Sequence, residues 1–318
     1  MEHHCDCEEH HHHDHNHEEN EEHIENKFLK VIEESQVTTD DAAVRAAVAK
    51  IIEEKVDENR RVEVYEQIMN SIDLTTLSTT DSESSVAAFA KKVNEYDSNH
   101  PDHKNVAAIC VYANFAGVVR ANLEVSDVKI AVCSANFPSA QARLEVKCAE
   151  TALAIADGAD EVDIVFNHGY FVDGSYQELA DEISEIKSIV GADRRLKVIL
   201  ETGILATAEK IRNASILAMY SGADFIKTST GKIYSGATPE AAYVMCSCIK
   251  EYYQKTGTMI GFKASGGVRS TDDALIYYTI VKEVLGQKWL NNSYFRIGAS
   301  SLANNIYATI TGDTAKVF

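Results

Sequence analysis

No run in the sequence approaches 18 consecutive apolar residues, so no membrane-spanning helix is expected. The first 23 residues hold no apolar stretch, so no signal peptide is expected either. Positive charge is scarce. Thirty Lys and Arg stand against 49 Asp and Glu, and a net charge of −19 makes a nucleic acid a poor partner. Paired-cysteine modules are also missing. Seven cysteines, an odd number, are spread over 318 residues. Only Cys5–Cys7 and Cys246–Cys248 lie close together, and their C-x-C spacing lacks the C-x-x-C partner set of a structural zinc module. Cys110 and Cys133 sit in apolar runs and read as small core residues, and Cys246 and Cys248 as ordinary helix residues. A reducing, cytoplasmic setting is expected.

What is present is globular usage, 45% hydrophobic and 25% charged, divided in three. Residues 1–23 form a biased segment with nine His, nine Asp or Glu and no Lys or Arg. With so little to bury, it is expected to be disordered. Its imidazoles, among them His10, His11, His12, His13, His15 and His17, could hold a transition metal weakly. An inert solubilising tail is the plainer reading. Residues 24–70 read as helices that pack on the body. Val44, Ala47, Val48, Ile51, Ile52 and Val56 recur at helical spacing behind a Thr39 or Asp40 cap, and a shorter helix is expected over about 61–70.

Residues 71–318 alternate short apolar runs with longer helical stretches. The candidate strands are Ile72–Leu77, Ala107–Tyr112, Lys129–Phe137, Glu161–Phe166, Leu196–Glu201, Phe225–Thr230, Ile260–Ser265 and Phe295–Ser300. Gly-Ala-Asp recurs at 158–160, 191–193 and 222–224, each time after a helical stretch and before a strand. The tripeptide marks the αβ turn of a repeated unit. Eight units of 31 make the 248 residues of this part, which predicts a closed (β/α)8 TIM barrel. A doubly wound open sheet would compete, but the glycine-rich loop it usually carries after its first strand is missing here.

Three predicted strands contain a charge that a doubly buried strand should not hold: Asp163, Lys227 and Lys263. A buried charge costs several kcal/mol unless it is paired or neutralised. A structural Lys–Asp pair would leave the second lysine unexplained. Two adjacent lysines favour a neutral amine, which attacks carbonyls and can form a Schiff base. Lys197 lies at a strand start on the opposite face and reads as solvated. Thr230-Gly231-Lys232, Gly266-Gly267 and Gly298-Ala299-Ser300-Ser301 follow the last three strands. Glycines admit close backbone approach and helix N-termini favour anions, so this set reads as a phosphate cradle, against ordinary turn glycines.

These residues also carry a likeness. Gly222-Ala-Asp-Phe-Ile-Lys-Thr-Ser-Thr-Gly-Lys232, Gly158-Ala-Asp-Glu-Val-Asp163 and Gly261-Phe-Lys263 closely resemble the deoxyribose-phosphate aldolase family. So do Asp73-Leu-Thr-Thr-Leu77, Ala107-Ala-Ile-Cys-Val-Tyr112 and Leu196-Lys-Val-Ile-Leu-Glu-Thr-Gly203. The likeness covers about residues 71–305. It implies a class I lyase on a TIM barrel, with no metal or other cofactor, that reversibly cleaves 2-deoxy-D-ribose 5-phosphate to glyceraldehyde 3-phosphate and acetaldehyde. It implies Lys227 as the Schiff-base lysine, Lys263 as the second lysine, Asp163 as acid and base, and Asp73 in a supporting proton network. A homo-oligomer, most simply a dimer, is expected. Four departures stand out. Ala264-Ser265 replaces a usual Pro-Ala, which should loosen that loop. Ala113 stands where a Pro is common. Phe318 stands where some members end in tyrosine, and the His-rich start and helical lead-in have no counterpart in the shortest members. A related aldolase for a longer phosphorylated donor, or a metal buffer built on an inactive barrel, are the other readings.

Overall fold

In the computed structural model, residues 28–318 are described. The His-rich segment, Cys5 and Cys7 lie outside them. Eight strands close into a barrel in sequence order: β1 Ile72–Thr75, β2 Ala108–Tyr112, β3 Lys129–Cys133, β4 Glu161–Val165, β5 Arg195–Ile199, β6 Phe225–Lys227, β7 Gly261–Ser265 and β8 Phe295–Ala299. Every neighbouring pair is parallel, and β8 closes on β1 through Ile72–Ile297 and Asp73–Gly298. Most strand residues are buried, and 21 of the 37 are Val, Ile, Leu, Phe or Ala. Four of the eight end two or more residues sooner than the apolar runs suggest. Thr76–Leu77, Ser134–Phe137 and Thr228–Thr230 leave the ladder to build loops at one mouth of the barrel.

The Gly-Ala-Asp turns sit at the other mouth. Gly158, Gly191 and Gly222 take positive φ (+105°, +78° and +105°), which reverses the chain after a helix at little steric cost. Two of the aspartates stitch the next repeat to the last: Asp160 accepts from the Ile130 N–H at 2.9 Å and Asp224 from the Leu196 N–H at 2.7 Å. The motif therefore fixes strand entry as well as helix exit.

Before the barrel, Asp40 caps a helix over Asp41–Lys55, accepting from the Ala42 N–H at 2.8 Å. Val44, Val48 and Val56 are buried, with Ile51 and Ile52 half-buried against the same core. This helix lies on the barrel helices Pro239–Thr256 and Thr271–Leu285, and the helix Val62–Met69 packs against Leu302–Thr311 and Thr271–Leu285. Among the described residues, no helix is long and apolar enough to cross a membrane. Phe318 is buried on the flank, 4.5 Å from the Tyr96 ring, with its N–H on Asn304 Oδ1 at 3.1 Å. It is not among the residues lining the mouth pocket.

Candidate active site

Side chains alternate along a strand, and the register decides which charges meet inside. Lys227 on β6 is the register partner of Lys263 on β7, and Asp163 on β4 is the partner of Lys197 on β5. All four point into the barrel. Lys227 Nζ and Lys263 Nζ each lie 2.8 Å from the same oxygen, Asp163 Oδ2. Lys263 also donates to Asp73 Oδ2. The three charges singled out in the sequence, together with Asp73, thus form one contact group.

Lys197 corrects the sequence reading. It is wholly buried, not solvated, with Nζ 2.7 Å from Asp163 Oδ1 and 2.7 Å from Glu161 Oε2. The physical reason is depth. The strand starts at Arg195, which sits exposed at the rim, and Lys197, two residues on along the same face, lies one layer deeper beside Asp163. Glu161 and Arg296 were not singled out either. Arg296 bridges Asp73 Oδ1 at 2.6 Å and Glu161 Oε1 at 2.7 Å. Glu161 is two residues from Asp163 on the same strand, so period-two spacing could have found it.

The interior therefore holds three carboxylates (Asp73, Glu161, Asp163) and four cations (Lys197, Lys227, Lys263, Arg296), one cation in excess. Burial pushes the Asp163 carboxyl up, but the Lys197, Lys227 and Lys263 ammoniums outweigh it and hold the group well below the usual carboxylate range. Asp73 and Glu161 are lowered in the same way, against burial, chiefly by Lys263 and Lys197 respectively. Burial works against charge on Lys197 and Lys263, yet the facing carboxylates raise both. Lys227 has one carboxylate contact where Lys197 and Lys263 have two or more, and it is the lysine that lines the open pocket.

The sign of the linkage follows. The lowered carboxylates add stability above the unfolded carboxylate range and lose it as pH falls through their folded values. The raised lysines add stability below the unfolded lysine range and lose it as pH rises through theirs. The window spans roughly pH 4 to 10. Lys197→Met should cost about 3–5 kcal/mol of stability at neutral pH, because Asp163 Oδ1 and Glu161 each lose a buried partner. Urea denaturation at pH 7 measures it, and an unchanged midpoint would show that Lys197 does not hold the cluster together.

Above Lys227 the mouth opens into a cavity of about 270 Å³ lined by Gly231, Lys232, Gly267, Arg269, Ser300 and Ser301, with Thr230 and Gly266 also on its wall. All seven residues of the sequence-predicted cradle meet here. Gly231, Gly266 and Gly267 have φ of +72°, +83° and +83°. A Cβ on Gly267 would meet nothing within 4 Å, so the backbone there faces open cavity. Gly236 crosses Gly266 so closely that a Cβ would strike the Gly266 carbonyl, which locks the β6 and β7 loops together. The helix Leu302–Thr311 starts at Ser301 with no side-chain cap, leaving its first N–H groups for an anion. Arg269 adds a cation that sequence reading passed over, although it follows Gly266-Gly267-Val268 directly. Lys232 donates to the Leu77 carbonyl and lies 5.6 Å from the Tyr112 ring, so it spans the mouth from β6 towards β1.

Against the loosening expected from Ala264-Ser265 stand two hydrogen bonds. Ser265 donates its N–H to Thr228 Oγ1 at 2.9 Å and its hydroxyl to the Ser229 carbonyl, bonds that tie β7 to the loop after β6. Buried Glu201, at φ +48°, accepts from the Thr230 N–H at 3.2 Å and braces the same loop from β5. A second cavity of about 400 Å³ lies between the helix Asp41–Lys55 and the loops after β5 and β6, and none of the interior lysines lines it.

Barrel, interior lysines and anion cradle together define a lyase of the aldolase class. The chain belongs to the DeoC/LacD family of aldolases, whose pattern matches residues 67–305. Deoxyribose-phosphate aldolase from Homo sapiens is 40% identical over 256 residues, 76% of this chain and 80% of that protein. The Bos taurus protein of that name is 38% identical over 255 residues, with 76% and 80% covered. Among solved structures, deoxyribose phosphate aldolase from Aeropyrum pernix shares the fold, with a TM-score of 0.63, 24% identity, and coverage of 83% of this chain and 98% of that one.

Proposed function

We propose that this protein is a Schiff-base aldolase that cleaves 2-deoxy-D-ribose 5-phosphate to D-glyceraldehyde 3-phosphate and acetaldehyde, and also runs in reverse. The observation that carries the reading is Lys227. It stands at the floor of an anion-fitted cavity and shares one Asp163 oxygen with Lys263. Loss of one proton leaves the interior cluster neutral, so a free amine on Lys227 is compatible with the charges around it.

That amine attacks C1 of the open-chain sugar, and loss of water gives a protonated imine. A water held by Asp163 takes the proton of the C3 hydroxyl. The C2–C3 bond breaks, its electrons enter the imine, and glyceraldehyde 3-phosphate leaves. The enamine on Lys227 is then protonated at C2, and hydrolysis frees acetaldehyde and restores the amine. Lys263, between Asp73 and Asp163, keeps a positive charge beside the reacting nitrogen. The electron sink is covalent, so a chelator should leave cleavage intact. Five cysteines among the described residues are free, which supports a reducing, cytoplasmic setting, and we expect a homo-oligomer, most simply a dimer.

The phosphate is bound by Thr230, Gly231, Lys232, Gly266, Gly267, Ser300 and Ser301, with Arg269 as a further cation. Because it lies away from the breaking bond, its binding energy positions the substrate. Arg269→Ala and Gly267→Ala should each raise KM for deoxyribose phosphate by about 10- to 100-fold, the worth of a charge-assisted hydrogen bond. Activity on unphosphorylated deoxyribose should change far less. Equal losses on both substrates would make the loop a structural element only. The test of the whole reading is direct: deoxyribose phosphate should be cleaved with release of acetaldehyde, with or without chelator. A preference for a longer phosphorylated donor over acetaldehyde in the reverse direction would assign the site to a different aldol.

A further inference from the structure

Two thiols inside the barrel have no part in the reaction proposed above. Cys110 on β2 and Cys133 at the end of β3 are each 1% exposed and free. Cys110 is the register partner of Ala131, one pleat from Cys133, and Cys133 is the partner of Asp163. Both pack with Ala108 and Ala131, beside Leu77 and Phe137, on the interior side. The two sulfurs and a carboxylate oxygen of Asp163 lie within 4.8 Å of one another.

We propose that Cys110, Cys133 and Asp163 form an inhibitory site for a thiophilic divalent cation such as Zn2+ or Cd2+. Two thiolates select soft or borderline ions over Mg2+ and Ca2+, and a carboxylate completes three protein ligands with a fourth position open. Zinc–sulfur bonds near 2.3 Å put tetrahedral ligand atoms just under about 4 Å apart, so the side chains need to draw in by no more than about 1 Å.

Charge is the obvious objection, since Lys227, Lys263 and Lys197 already hold Asp163. The exchange answers it. Two thiols and a dication become a metal dithiolate and two protons that leave to solvent, so the charge of the interior does not change. Both thiol protons are displaced by the metal itself. Once bound, the ion draws on the carboxylate that Lys227 and Lys263 share, which removes the group proposed to handle the proton.

The binding claim stands by itself, while the inhibition claim rests on the aldolase reading. The experiment separates them. Full-length protein carrying Cys5→Ser and Cys7→Ser, so that those thiols add no signal, is stripped with chelator and titrated with Cd2+. Cadmium–thiolate charge-transfer absorption reports binding, and cleavage of deoxyribose phosphate reports inhibition. We expect a saturating band, activity suppressed by at least about tenfold, and recovery on adding chelator. Outer-shell changes alone cost metal sites about 10- to 100-fold, so Cys133→Val should shift both half-saturation and half-inhibition by about 100-fold or more, each measured against the variant's own metal-free state. Should Cys133→Val fail to fold, X-ray absorption at the cadmium edge on the parent protein must show two sulfur neighbours. A band and an inhibition curve unmoved by Cys133→Val, or cadmium without sulfur neighbours, would overturn the site. A protein that binds Cd2+ through these sulfurs but never cleaves deoxyribose phosphate would keep the site and refute the aldolase reading.

Discussion

Lys227→Leu should lower cleavage of deoxyribose phosphate by more than about 10⁴-fold, about 5.5 kcal/mol of barrier, because no other group at the floor of the cavity can form the imine. The protein should still fold. Removing this one cation leaves three cations against three carboxylates, and Asp163 Oδ2 keeps its bond from Lys263 at 2.8 Å. Loss of rate with little loss of stability is thus the expected pairing. The companion experiment is trapping. Acetaldehyde and borohydride should add a two-carbon group to the unsubstituted protein, and peptide mass mapping should find it on Lys227. A label on Lys263 or Lys197 instead, or a Lys227→Leu protein that retains a tenth of its rate, would remove Lys227 from the mechanism.

Asp163→Asn should damage the fold as well as the chemistry. Among the described residues, Asp163 is the one acid that three lysines touch, at 2.7, 2.8 and 2.8 Å. An amide in its place leaves four cations facing two carboxylates in a buried site. The cost should be about 3–5 kcal/mol, read as a lower urea midpoint. Turnover should fall by about 10²–10⁴-fold, the usual worth of a positioned acid–base group. Trapping separates the roles. If Asp163 serves the proton step, borohydride should still label Lys227 while kcat collapses. If labelling disappears as well, Asp163 acts by placing the lysine. A kcat within a factor of ten of the parent would refute both.

The barrel was legible because its repeat is regular: eight short apolar runs with helical stretches between them, punctuated by Gly-Ala-Asp turns. Lys227, Lys263 and Asp163 stood out for the same reason, as charges in the middle of runs that should be apolar. Lys197 and Glu161 were hidden by position. Near the start of a strand a charge is ordinarily solvated, and only the register with β4 reveals that Lys197 turns inward at Asp163. Arg296 lies one residue into β8 and was masked likewise. Arg269 and Glu201 belong to loops, whose contacts are set by how neighbouring strands end, and no periodicity speaks for them. The Ser265 bonds that replace a proline's stiffness could be seen only once Thr228 and Ser229 lay beside them.

The interior charges also have a mechanical meaning. They reach the centre from β1, β4, β5, β6, β7 and β8, so six of the eight staves are tied to one hub. Spreading any of those six must part a buried ion pair. β2 and β3 carry Ala108, Cys110, Ala131 and Cys133 at the same level and add no ion pair to the hub. The hub therefore gives the closed ring a seam. Local opening has its smallest electrostatic cost between these two staves, and their amides are where exchange with solvent should run ahead of the rest of the barrel.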